Sequence, residues 1–184
     1  MEKTIKKIIA ILEKVEGIKG YALIGGLAIG GWVSPRTTRD VDLLMNFPQL
    51  EPRLIEDKLL NPLKEAGFVS TLQVGDLEDD IKFCIKSVSP DGIPVDIILV
   101  AKKWEEEIIV DSIPIEILEG VAIPVVKPEG LVILKLKAGS FQDIADVVKL
   151  LIETDYNHEK IITMAKKARV DRKLKILMEK LGLL

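Results

Sequence analysis

Between Tyr21 and Met45 the chain reads YALIGGLAIGGWVSPRTTRDVDLLM. An apolar run is cut by two glycine pairs, and two acids, Asp40 and Asp42, then open an apolar segment. The residues before Gly25 suit a short strand, and those after Gly26 suit a helix of about 26–33. The segment 41–45 suits a second strand. Side chains alternate along a strand, so acids two apart share one face. Their mutual repulsion is roughly 3 kcal/mol at an effective dielectric near 20. A sheet interior keeps that cost only where a cation or a donor offsets it.

A third acid stands in a similar setting. Asp96 is the lone charge in IPVDIILV. Mg²⁺ or Mn²⁺ suits such a trio, because hard cations take oxygen ligands and share them with substrate phosphates. The glycine pair at 25–26 lies where a strand becomes a helix, and glycine lets a backbone approach a phosphate closely. GGLAIGG has neither the G-x-G-x-x-G spacing nor the Gly-Lys-Ser/Thr ending of the common phosphate loops. A serine at position 26 is expected to be tolerated, because serine suits a helix start.

The rest of the chain predicts an α/β front and an all-helical tail. Expected elements are a helix over 2–16, a helix over 52–66, and strands over 68–74, 81–88 and 95–100. A short helix is expected at 104–107, and one or two strands within 108–126, divided by Pro114 and Gly120. Helices are expected over 128–138, 141–153, 157–168 and 171–181. This divides the chain into an α/β core over 1–126 and a helical region over 127–184 packed on it.

Composition narrows the function. The chain has 184 residues, 48% of them hydrophobic and 30% charged, with a net charge of −3. That argues against a broad basic surface for nucleic acid. The single cysteine, Cys84, leaves no internal disulfide and reads as a small buried hydrophobe. No apolar stretch reaches the ~20 residues of a membrane span, so a cytoplasmic protein with no membrane partner is expected. His158, the only histidine, reads as exposed or capping. Trp32 and Trp104 read as packing residues, and the acidic run 77–80 as a solvated turn.

Gly25-Gly26, Arg36-Thr37-Thr38-Arg39-Asp40-Val41-Asp42 and the isolated Asp96 together resemble the nucleotidyltransferase superfamily, whose fold is that of the DNA polymerase β catalytic core. LVILKLKAGSFQDIADVVKLL, at 131–151, resembles a tail motif of its AbiEii/AbiGii-type members, a group that includes toxin–antitoxin proteins. The resemblance implies a mixed sheet flanked by helices and transfer of a nucleotide from an NTP to an acceptor hydroxyl. It implies that Asp40, Asp42 and Asp96 hold the metal, with Asp96 also acting as base. Gly25, Gly26, Arg36, Thr38 and Lys135 would bind the triphosphate, and Asp143 and Asp146 would stand behind them or on the acceptor side. The acceptor could be RNA, protein or a small molecule. Two other readings stand: a non-catalytic nucleotide-binding or antitoxin-like partner of another protein, and a small-molecule, antibiotic-type enzyme, a group expected to carry a larger helical domain.

Several of these residues also have a plain reading. Lys135 and Lys137, two apart on a helix, would face different sides, with at most one in a cleft. Asp143 could cap the helix beginning near Ser140. Asp146 could pair with Lys149 on the surface. Arg36 and Arg39 could neutralise the neighbouring acids. The family often has Ser at the second glycine and Arg at the position of Ser140, and this chain departs from it at both.

Overall fold

The apolar alternation of the front half builds one seven-stranded mixed sheet of order β3-β4-β5-β2-β1-β7-β6. A computed structural model describes residues 1–76 and 78–184. Strands β1 (Gly20–Ile24) and β2 (Val41–Asn46) pair antiparallel around α2 (Gly25–Gly30). β5 (Pro94–Leu99) runs parallel to β2 and antiparallel to β4 (Phe83–Val88). β3 (Val69–Val74) closes that side. On the other side β7 (Val121–Val125) joins β1 in parallel, and β6 (Ile113–Leu118) forms the far edge.

One face of the sheet is mostly apolar, interrupted by the buried, mutually hydrogen-bonded Ser70 and Ser87. Leu43, Met45, Ile85 and Ile97 have no exposed surface. α1 (Glu2–Leu12) and the segment α3 (Pro52–Ile55), π-turn (Glu56–Leu60) and α4 (Asn61–Glu65) complete this side of the molecule. The expected continuous helix over 52–66 is therefore broken. Pro62 has no N–H for the turn before it, and that turn widens to the i→i+5 pattern. The opposite face carries polar side chains and lies under α5 (Lys103–Val110) and α6 (Pro128–Ala138).

From Pro128 onward the sequence expectations hold closely. α6, α7 (Phe141–Glu153), α8 (His158–Ala168) and α9 (Asp171–Leu181) follow with short breaks. α7 begins in a capping box, with Ser140 accepting from the Asp143 N–H and Asp143 from the Ser140 N–H. α8 is capped by Asn157, whose side chain accepts from the Lys160 N–H, and its first residue, His158, is exposed. One buried cluster joins Leu23 and Val125 of the sheet to Leu131, Val147 and Ile161 of the helices.

The strands expected within 108–126 differ in two ways. Residues up to Val110 belong to α5, and Pro114 lies inside β6, opposite Pro124. β6 is an edge strand, where a missing N–H need not interrupt a ladder. The first helix ends at Leu12, short of the expected 16. Among the described residues no helix is long and apolar enough to cross a membrane.

Candidate functional site

Register places the chemistry. Ile24 pairs with Asp42, Asp42 with Asp96, Asp96 with Lys86, and Lys86 with Thr71. Residues in register on neighbouring strands share a face. One transverse row therefore carries two acids and a lysine across the polar face of the sheet. The next row, Leu44, Ile98 and Cys84, is apolar. Asp40 sits just before β2, exposed, and accepts a hydrogen bond from the Thr38 hydroxyl.

Each glycine of the 25–26 pair has its own reason. Gly25 has φ +68°, and a Cβ there would lie 1.9 Å from Asp42 Oδ2. The carboxylate occupies the space that a side chain would need. A Cβ on Gly26 would lie 2.9 Å from Thr38 Oγ1 and 3.2 Å from Arg36 Nη2. The expected tolerance of serine at 26 therefore turns on how far Thr38 and Arg36, which close over that position, can shift.

Burial pushes the Asp42 carboxyl up to about 6, and the charges of Asp40 and Asp96 add to it. Lys135 and Lys86 pull the other way without restoring the ordinary value. Asp96 is ion-paired to Lys86, which sequence reasoning missed. The signal was present: counting back from the turn SPDGI matches Val88 with Pro94 and hence Lys86 with Asp96. Among the described residues no three His, Cys, Asp or Glu side chains stand together as a ready metal-ligand set.

A second acidic pair, on α7, is arranged quite differently. Asp146 is 1% exposed and accepts from Arg36 Nε and Nη2, each at 3.1 Å. It also takes Gln142 Nε2 at 3.1 Å and pairs with Lys135 at 3.1 Å. Burial alone would raise this carboxyl, but those donors outweigh it and hold it below the usual range. Asp143 caps α7 and pairs with Lys135 at 2.7 Å. The expected surface pairing of Asp146 with Lys149 is therefore wrong. Arg36 does not neutralise Asp40 and Asp42 by direct contact but is bound to Asp146.

Two adjoining hollows meet at Asp42 and Lys135. The polar one, about 330 Å³, is lined by Gly26, Arg36, Thr38, Arg39 and Asp40. The other, about 290 Å³, is mostly apolar, with Ile24, Leu44, Ile98, Trp104, Leu131 and Leu134. Lys137 lines this second hollow together with Lys135, so the two lysines do not face opposite sides. Lys137 and Lys102 both bind Asp80, at 2.6 Å each, and hold its carboxyl down to about 2. Asp80 is thus a partnered rim residue rather than a plain solvated turn; Leu77 of that run lies outside the described residues. Cys84 is buried, which pushes its thiol up to about 11. Trp32 packs as expected and donates to the Val126 carbonyl at 2.9 Å.

No protein family and no curated protein matches the chain by sequence. Solved structures do. The solution structure of the antibiotic-resistance factor ANT(2'')-Ia matches at a TM-score of 0.52 and 16% identity, over 99% of each chain. A crystal structure of ANT(2'')-Ia in complex with adenylyl-2''-tobramycin matches at 0.54 and 15%, over 91% of this chain and 95% of that one. The chain therefore has a nucleotidyltransferase-type fold, a mixed α/β sheet with flanking and C-terminal helices. This chain and the antibiotic-resistance factor cover one another almost end to end, so no larger helical domain separates the two.

Proposed function

We propose that the chain is a metal-dependent nucleotidyltransferase that moves a nucleoside monophosphate from an NTP to an acceptor hydroxyl. The observation that carries this reading is the row of Asp42 and Asp96 beside Asp40, with Asp42 pushed up to about 6 at the junction of two hollows. The acidic charge is concentrated and incompletely offset at a place a ligand can reach. Asp40, Asp42 and Asp96 offer only oxygens, which fits Mg²⁺ or Mn²⁺. When bound, such an ion offsets the charge of the triphosphate and of the leaving pyrophosphate.

The chain's own residues do the rest. The polar hollow offers Arg36, Arg39 and Lys135 to the phosphates, with Gly26 in its lining, while the bare Gly25 position makes room for the Asp42 carboxylate. The acceptor oxygen attacks the α-phosphorus, its proton passes to Asp96, and the bond to the bridging oxygen breaks as pyrophosphate leaves. Asp143 and Asp146 hold Lys135 and Arg36 in place from behind. The tail motif favours the AbiEii/AbiGii-type branch of the superfamily. A small-molecule acceptor is the second reading, favoured by the match to ANT(2'')-Ia in overall length.

The test is label transfer from the four α-³²P NTPs to total RNA, total protein or tobramycin, with Mg²⁺ or Mn²⁺ present. Transfer that disappears in Asp42→Asn is the expected result. NTP binding without transfer to any acceptor supports a non-catalytic, antitoxin-like partner instead. Transfer that survives both a chelator and Asp42→Asn overturns the proposal.

A further inference from the structure

Lys86 stands in the row of acids without any place in the reaction just described. Its Nζ donates to Asp96 Oδ2, and the cross-strand register holds it opposite that residue. Cross-strand partners on one face are within reach of each other by construction. The carboxylate that the proposed reaction needs, both as a ligand and as a base, is therefore occupied by an ammonium on the neighbouring strand. The side chains of Lys86 and Asp96 are 44% and 27% exposed, so the lysine can swing into the groove formed with Gln73, Cys84 and Ile98 without leaving a buried charge unpaired.

We propose that Lys86 is a tethered counter-cation that competes with the divalent metal for Asp96, so that metal enters fully only when Lys86 has moved off that carboxylate. This rests on the metal reading above. Asp42, with no hydrogen-bonding partner of its own among the described residues, stays open to the first contact with metal. Asp96 joins it after Lys86 is displaced. Lys86 keeps the row from carrying two unbalanced acids in the absence of metal. The charged groups around Lys86 are Asp96 and Asp42 beside it and Asp79 and Asp80 in the lining of the groove, all acidic.

The experiment measures Mn²⁺ binding to the intact chain by electron paramagnetic resonance of the free ion, with no nucleotide and no turnover. Lys86→Met is expected to bind Mn²⁺ about two- to fivefold tighter than wild type, the range set by a partly exposed ion pair. The gain should disappear in the Asp96→Asn background, because the competition passes through that one carboxylate. A gain that persists undiminished in Asp96→Asn reflects only removal of a nearby positive charge and overturns the inference. Unchanged affinity in Lys86→Met overturns it too. Lys86→Gln gives the same comparison should the methionine variant fold poorly. Asp42→Asn separates the two layers. Mn²⁺ binding that never depends on Asp42 sinks the metal reading itself, and this inference with it. Binding that depends on Asp42 but ignores Lys86 sinks this inference alone.

Discussion

Two pairs of aspartates within one molecule behave in opposite ways. On α7, Asp146 is almost wholly buried yet its carboxyl lies below the usual range, because Arg36, Gln142 and Lys135 surround it. On the sheet, Asp42 is pushed up to about 6, first by burial and then by the charges of Asp40 and Asp96, which Lys135 and Lys86 only partly oppose. Burial has the same sign at both positions. What differs is whether the chain supplies the cations. The α7 cluster is closed by its own donors and works as structure. The sheet cluster is left short of positive charge, and that shortfall is what a ligand would fill.

The largest effect expected from this contrast is on activity. Asp42→Asn should lower turnover at least a thousandfold, about 4 kcal/mol of transition-state stabilisation, with a melting temperature equal to or above wild type. Turnover within tenfold of wild type would show that the unbalanced carboxylate is not the working one. Asp146→Ala should do the reverse. It removes one member of a buried ion cluster and leaves Arg36 and Lys135 facing each other, at a cost of about 3 kcal/mol. Urea unfolding reads this directly, and a loss under about 0.5 kcal/mol would erase the distinction between the two clusters.

A third expectation is a pH dependence. The folded Asp42 carboxyl is raised from 3.8 to about 6, so the folded state holds its proton more tightly than the unfolded chain does. Its contribution is therefore fully present below pH ~4 and is lost as pH rises through ~6. With allowance for partial solvent access this amounts to about 2 kcal/mol. Unfolding in EDTA between pH 4 and 8 should show the decline in wild type and much less of it in Asp42→Asn. Equal slopes would assign the titration to another group. The smallest effect belongs to Gly26→Ser. Its Cβ meets Thr38 Oγ1 at 2.9 Å, and the overpacking should cost about 1 kcal/mol. Full wild-type stability there would mean that the 36–38 loop yields freely.

Much of the architecture was legible because it rests on local signals. The four tail helices follow from apolar spacing bounded by Ser140, Asn157 and the glycines at 139 and 182, and each lies within a residue of its expected limits. Asp42 and Asp96 were readable as acids in apolar strands, whereas Asp40, expected to share the strand face, lies just before β2 and is exposed. What the sequence hid was pairing at a distance. The ion pair of Arg36 with Asp146 joins residues 110 apart, and no periodicity reports it. The same is true of Asp80 with Lys137. Two lysines two apart shared one hollow because the first points toward Asp143 and Asp146 and the second toward Asp80. Helical angle alone says nothing of such reach along a flexible side chain. Lys86 was accessible in principle through the hairpin register, but only after that turn had been recognised as setting the pairing.

The tie between Arg36 and Asp146 also bears on the order in which the molecule is made. A chain leaves the ribosome from its N-terminus, so the 36–40 loop emerges long before the helix that holds it. Until residue 146 has been synthesised and α7 has docked, Arg36 has no buried partner and nothing on α7 anchors the loop beside Asp40. β1 likewise waits for Val125, its parallel partner on β7. The acids arrive early and their setting arrives late. Between the synthesis of residue 96 and that of residue 146 the nascent chain thus contains all three aspartates and still lacks the assembled hollow beside them.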